Sequence, residues 1–589
     1  MKWVTLDLLY QKPFKYKMFS NTKNHLGFLI LAILAVYSLS LNAPFYLDDF
    51  RSIQENYLLQ TGSVQDFFLQ NRFIGTMTFF VQEKLGINSV LEYRLVNISI
   101  HILNTFLVYL LVNSLLSLCG KENKTIAFFS ALIFAIHPLN SQPVIYIVQR
   151  YSLMSAFFYL LCTLTYIEFR KAINTKHITR TLSFVLILII SMFLGWFSKQ
   201  NFISVIFVLV ILEILFFKRD KSYKTLYSSL LFLGVSLLIV SLTTESGKEF
   251  IKLIDSASRE TKDISRLDYF FAQLNILWIY IGKFFAPIDL RLEYSIFSNS
   301  FSNLTTTVSF IGHLCLLVSS IVLFKKRPEI TFAILFFYCG HMIESSIIPI
   351  RDFAFEHRTY ISNFALSFLL ISFVTECGKA FNKQKEVMAL ISITVVTYSV
   401  FTLHRAEMWS DKEAFFENEA SLSPKNPRVL TSLAKIYRNN GKVDEANSTL
   451  ELAYKYSNNK LRDDVASNYF AMLVEQKRVN EATEVAEKLL PQTKDLLSKN
   501  QILHNLGALY FQLGNLEQAK NYFKKVCNSK KPLPESYYSL AIIALKEKDL
   551  LKAESVLRKL VNFAPNYEAG NQLYLKVLEA KKMINRRVK

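Results

Sequence analysis

Glycine and proline are scarce, 16 and 13 in 589 residues. So few breakers exclude long disordered linkers and predict that most of the chain is helix. Cysteine is scarcer still, at six. Cys119, Cys162, Cys315, Cys339 and Cys377 lie in or beside apolar runs, and Cys527 stands in a polar tail. The spacing contains no CxxC pair, no zinc pattern and no disulfide framework. Acidic residues are outnumbered, 47 against 67 Lys and Arg, for a formal net charge of +20. Much of that excess sits in short loops between apolar runs, which is a topology signal and not a nucleic-acid footprint.

What the chain has in abundance is apolar surface: 51% hydrophobic residues, 50 phenylalanines and a positive mean hydropathy. That is more than a soluble fold of this size needs, so the sequence is read as an integral membrane protein. Runs able to cross a bilayer, roughly 17 to 25 residues, start near Leu26, Leu95, Thr125, Tyr151, Thr181, Asn201, Thr225, Val308, Ile330, Ile361 and Val387. The segment before the first run, with Lys12, Lys15, Lys17 and Lys23, is too long for a signal-peptide head. Pro44 spoils cleavage after Ala43, so the first run is expected to stay as an anchor.

Basic loops at Gly120, Arg170, Lys218, Lys325 and Gly378 alternate with loops poorer in Lys and Arg. This orients the N-terminus to the cytoplasm and the Asp48/Asp49 loop and everything after Arg405 to the far side. A crossing at Leu267 to Pro287 would put "KKRPE" on the wrong side, so that stretch is expected at the outer interface or as a re-entrant segment.

From about Trp409 the chain becomes amphipathic and repetitive. "LAKIYRNNGKVDEANSTLELA" (Leu433 to Ala453) and "LGALYFQLGNLEQAKNYFKKV" (Leu506 to Val526) align position for position. Stretches from Tyr469 and Leu540 fit the same frame. Ala446, Ala482, Ala519 and Ala553 recur every 34 to 37 residues, a tetratricopeptide period. The organisation expected is all-α: a multi-span membrane domain over 1–408 with about 11 spans, then a solenoid over 409–589 of about four and a half repeats.

Three constellations carry chemistry. "FYLDDFRSIQEN" presents Asp48 and Asp49 just past the first apolar run, where ionised acids persist only for a reason. Asp49 alternatively caps a helix starting at Phe50. "AIHPLNSQPVIYIVQR" places His137 at a helix end made by Pro138 and Arg150 at the head of the next span. "IIPIRDFAFEHRTYIS" concentrates Arg351, His357 and Arg358, with Asp352 and Glu356 available to orient them. Lys199 in "FSKQN" is a further cation, explained equally by snorkelling. A carboxylate pair with several cations on one side suits a base working beside a membrane-embedded phosphate.

At these residues the sequence resembles the membrane O-mannosyltransferases with C-terminal tetratricopeptide repeats, of the C-type glycosyltransferase superfamily, and their bacterial relatives. The matching features are the anchor followed by "YLDDFRSIQEN", "RLVNISIHILN", "FAIHPLNSQPVIYIVQR", the P-x-x-L-x-x-x-Y stretch from Pro287 to Tyr294, "FEHRTYIS", and the repeats after them. The resemblance covers nearly the whole chain. It implies an inverting transfer of a sugar, mannose by family, from a polyprenyl-phosphate donor to a protein hydroxyl on the non-cytoplasmic face. It implies Asp48 as base, Asp49 as its partner or a metal-leaning acid, and Arg358, His357 and Arg351 on the lipid phosphate, with His137 and Arg150 as second choices. A divalent metal is left open. The acceptor protein is expected in the repeat groove, in the periplasm of a bacterium or the endoplasmic reticulum lumen of a eukaryote. The alternative function is a non-catalytic, membrane-anchored repeat scaffold for envelope assembly.

Overall fold

A computed structural model describes residues 22–68, 72–175, 177–217, 264–294, 296, 300–350, 352–457, 463–493 and 495–588. The described residues are helical with no strand, and they divide into two compact units, 1–415 and 416–589. The expected span from Thr225 lies outside the described residues.

In the first unit, six helices are long and apolar enough to cross a membrane. They are Thr22–Ser40, Val90–Leu118, Ile147–Ile173, Ile178–Trp196, Asn303–Leu323 and Gln384–Met408. A seventh arises if the bent pair Lys124–Ile136 and Pro138–Ile145 counts as one span. Their lipid-facing sides are apolar and exposed, as at Leu182, Ile189, Phe193, Val308, Ile321, Ile393 and Val396. Shorter helices Val205–Phe216, Pro328–His341 and Asn363–Ala380 stand at three more of the expected runs.

The helix Val90–Leu118 is the spine of this unit. It opens with a capping box in which Ser89 and Glu92 satisfy each other's backbone N–H. Its polar residues Arg94, Asn97, His101 and Asn104 recur at helical spacing and are buried on one face. Each finds partners, as burial demands. Arg94 donates to the carbonyls of Leu41, Ala43 and Ile145. Asn97 donates to those of Val144 and Ile147. His101 and Asn104 converge on the Tyr360 hydroxyl at 2.7 and 3.1 Å.

The chain bends by 53° at His137 and Pro138. Proline has no N–H to continue the helix, and the freed carbonyls are met by side chains. Asn140 Nδ2 donates to Phe134 O at 2.7 Å and the Thr402 hydroxyl to Ile136 O at 2.6 Å. This is the repair that irregular backbone needs at membrane depth. One end of the bundle thereby gathers the irregular segments 41–56, 137–150, 197–204, 342–350 and 352–362. At the other end Glu329 pairs with Lys121 and Arg327, and Arg170 pairs with Glu213.

Helix Arg266–Phe285 has both ends at the first of these places. Arg266 and Tyr269 bond the carbonyls of Ile347 and Glu344. At its other end Phe284 O accepts from His137.

The second unit stacks helix hairpins: Pro427–Asn439 with Val443–Tyr456, Asp463–Glu475 with Val479–Leu489, Leu496–Gln512 with Leu516–Cys527, and Pro534–Lys546 with Leu550–Phe563. Helix Glu568–Val588 follows them. Ala446, Ala482, Ala519 and Ala553 are all buried where the two helices of a hairpin meet. Five residues before each alanine the backbone turns left-handed, at Gly441, Lys477, Gly514 and Lys548.

Candidate active site

The two adjacent acids part company. Asp48 is exposed and Asp49 fully buried. Asp49 does not cap the turn that follows. Its carboxylate turns back to accept the Tyr46 N–H at 3.0 Å and reaches across to the Val148 N–H at 2.7 Å. Burial pushes its pKa up to about 7, with those two N–H groups and the charge of Arg94 pulling it down. Both oxygens being engaged with backbone, Asp49 is poorly placed to hold a metal. Asp48 leads with its backbone too, donating its N–H to the Tyr146 hydroxyl at 2.9 Å.

The backbone around the pair is strained. Leu47 has φ of +30°, costly for a leucine, and Phe50–Gln54 form a π-helical turn. Such conformations persist where surrounding contacts over-determine them and concentrate at functional sites. The contacts here include Tyr46, whose hydroxyl donates to Trp409 O at 2.6 Å and whose ring meets Trp409 and Phe415. Lys412 lies over the Phe50 ring at 4.4 Å.

The segment 137–152 touches both the acids and the cationic stretch. Tyr146 and Val148 hold the acids, while Gln142 Oε1 accepts the His357 backbone N–H at 2.8 Å. Ser152, one turn into the helix Arg150–Asn174, lines a narrow pocket with Ser155, Tyr159, Asn201, His357 and Arg358. The pocket has room for about one water molecule.

Arg358 and His357 are thus in one place. Arg358 donates to the carbonyls of Glu344, Phe353 and Asp352, and its Nε is buried with no partner. His357 stacks on Phe355, and its Nδ1 is likewise buried and unpartnered. Burial and the nearby charges of Lys199, Arg358 and Arg72 hold its pKa well below the usual imidazole value. Arg351 lies outside the described residues.

His137 and Arg150 are placed differently. His137 accepts the Leu139 N–H on Nδ1, donates from Nε2 to Phe284 O at 2.9 Å, and stacks on Phe284. Arg150 is buried over the Phe79 ring, and each guanidinium nitrogen donates within the chain, to Asn97, to Thr78 and Gln82, and to Tyr93 O. Both secure framework, and neither lines the pocket.

The carboxylates expected to orient the cations do other work. Glu356 accepts the Tyr294 hydroxyl at 3.0 Å and the Arg291 N–H, and faces Arg405 at 3.6 Å. It therefore anchors the P-x-x-L-x-x-x-Y stretch. Asp352 meets Arg358 through its backbone carbonyl. The carboxylate beside the cations is Glu344, 2.7 Å from the Lys199 amine. Sequence reasoning missed it, because nothing near "IESS" marks its pairing with a turn 145 residues upstream. Arg94 and Asn97 were missed as supports of the acid loop, although their helical spacing in an apolar run was a visible signal.

Among the described residues no group of three or more His, Cys, Asp or Glu is arranged to hold a metal ion.

A family model for the tetratricopeptide repeat matches residues 427–460, 501–531 and 534–567. Over 443 aligned residues the chain is 24% identical to the protein O-mannosyl-transferase F38B6.6 of Caenorhabditis elegans, covering 71% of this chain and 61% of that one. It is 20% identical to the protein O-mannosyl-transferase TMTC3 of Mus musculus and to that of Homo sapiens, covering 91% of this chain and 64% of each relative. The chain therefore spans less than two thirds of the length of these curated relatives. It is a homologue of proteins named protein O-mannosyl-transferase, with tetratricopeptide repeats in its C-terminal part.

Proposed function

We propose that this protein is a membrane glycosyltransferase that moves a sugar, mannose by the names of its relatives, from a polyprenyl-phosphate donor to a protein hydroxyl on the non-cytoplasmic face. In this reading Asp48 takes the proton of the acceptor hydroxyl as general base. The acceptor oxygen attacks the sugar's anomeric carbon from the side opposite the phosphate. The bond to the phosphate oxygen breaks, its electron pair leaves with the lipid phosphate, and the anomeric configuration inverts. Asp49 is the strut that sets the pose of Asp48.

Arg358 and His357, with Arg351, stabilise the departing phosphate, whose charge grows as the bond breaks. His137 and Arg150 serve the framework around them. The repeat groove holds the acceptor near the site and raises its effective concentration.

The observation that carries the reading is the strained acid loop, docked on the same segment 137–152 that adjoins the pocket of His357 and Arg358. The names of the relatives point the same way. The test is transfer of labelled mannose from polyprenyl-phosphate mannose to a protein acceptor by the purified full chain in detergent. Arg358→Gln is expected to cost on the order of 2 to 4 kcal/mol in kcat/KM, the scale for a transition-state charge stabiliser. A wild-type protein that releases no sugar from any such donor would leave the scaffold role standing.

A further inference from the structure

The pocket of His357 and Arg358 carries a feature that the transfer reading does not use. Beside its lining residues Ser152 and Asn201 stands an ion pair: Lys199 Nζ lies 2.7 Å from the Glu344 carboxylate, and both side chains are largely buried, 8% and 13% exposed. Lys199 is also tied to the Ser152 hydroxyl at 3.1 Å. Asn201 steadies the other Glu344 oxygen at 3.3 Å. Glu344 feels the positive charges of Lys199 and Arg358 together. One internal acid thus neutralises a converging set of cations.

Two details separate this pair from a permanent strut. First, polar atoms of two residues that line the pocket are unsaturated: the Arg358 Nε donor and the His357 Nδ1 are both buried without partners. A buried donor left unmade is expensive, so this wall lacks an acceptor that the chain itself does not supply. Second, Glu344 sits in the non-helical segment after Pro328–His341, held by side-chain contacts that can be exchanged. Lys199 has in Ser152 a second partner independent of the carboxylate.

We infer that Glu344 is an internal surrogate for a phosphate: its carboxylate occupies Lys199 in the resting chain and is displaced when the phosphate of a lipid-linked donor docks among Lys199, His357 and Arg358. The inference rests on the donor reading above and adds Lys199 as a phosphate ligand and Glu344 as its competitor. The exchange also has a use after transfer. The donor phosphodiester carries one charge and the departing monoester carries more, so Lys199 is needed most as the bond breaks. Glu344 retakes Lys199 once the spent lipid phosphate has left.

The experiment measures binding of farnesyl phosphate, with farnesol as control, to the purified full chain in detergent. Wild type is expected to bind the phosphate and not the alcohol. Glu344→Gln removes the competitor and is expected to tighten binding about tenfold, equivalent to about 1.4 kcal/mol. Lys199→Met is expected to weaken it at least as much, and to erase the gain when combined with Glu344→Gln. Weaker or unchanged binding in Glu344→Gln overturns the surrogate role while leaving the donor reading intact. If no form distinguishes farnesyl phosphate from farnesol, the donor reading falls and this inference with it. Should Glu344→Gln fail to fold, Glu344→Asp carries the same test, since a shorter acid holds Lys199 less well and must also tighten binding.

Discussion

The carboxylate of Asp49 accepts the backbone N–H of Val148 at 2.7 Å, across 99 residues of sequence, while Asp48 beside it faces outward. This division of labour has a consequence for stability. The buried Asp49 has its pKa pushed up from 3.8 to about 7, so the folded chain holds that proton more tightly than the unfolded chain does. The associated stability is present below about pH 4 and is lost as pH rises through 7. Wild type is therefore expected to melt several degrees lower at pH 8 than at pH 5, and Asp49→Asn to flatten that dependence. An equal slope in both proteins contradicts the assignment.

Glu344 runs in the opposite sense. The charges of Lys199 and Arg358 outweigh burial and hold its pKa down at about 2. Its stabilisation is present above the ordinary carboxylate value of 4.5 and is lost as pH falls toward 2. Acid unfolding between pH 4 and 2 is expected to be shallower in Glu344→Gln than in wild type, read by thermal melting across that range.

Arg150 and Arg358 are both buried arginines, and the structure gives them different tasks. Arg150→Ala leaves Asn97, Gln82 and the Tyr93 carbonyl without a donor, and is expected to lower the melting temperature and the yield of folded protein. Its surviving fraction should keep the wild-type KM for donor. Arg358→Gln should raise that KM or lower kcat with a smaller change in melting. Equal effects of the two on KM contradict the separation.

In the repeat unit, Lys477 and Lys548 occupy left-handed positions, φ of +58° and +61°, that Gly441 and Gly514 fill in the other hairpins. Both lysines are exposed. A side chain there costs roughly 1 kcal/mol. Lys477→Gly and Lys548→Gly are each expected to stabilise the solenoid by about that amount, and Gly514→Val to destabilise it at least as much. Denaturant unfolding of the full chain, followed by hydrogen exchange in these hairpins, reads the change.

Those four positions also explain what was legible in advance. The alanines at 34- to 37-residue spacing place every hairpin, because a small residue is required wherever two helices touch, and periodicity is local information. The apolar runs are legible for the same reason. The Asp48/Asp49 pair is legible as unusual but not as divided, since which acid turns inward depends on Val148, far along the chain. His137 and Arg150 look like free cations in sequence because their partners, Phe284, Gln82 and Asn97, come from other helices. Glu344 has no local mark at all. Its role exists only because the turns at Lys199 and Glu344 fold to one end of the bundle.

The most direct test of the account compares turnover and melting in wild type, Asp48→Asn and Asp49→Asn, using labelled polyprenyl-phosphate mannose and a protein acceptor. The account predicts that Asp48→Asn lowers turnover by roughly 10²- to 10⁴-fold, the span typical of a general base, with melting unchanged. Asp49→Asn should instead alter melting and its pH dependence. Wild-type turnover in folded Asp48→Asn protein would contradict it.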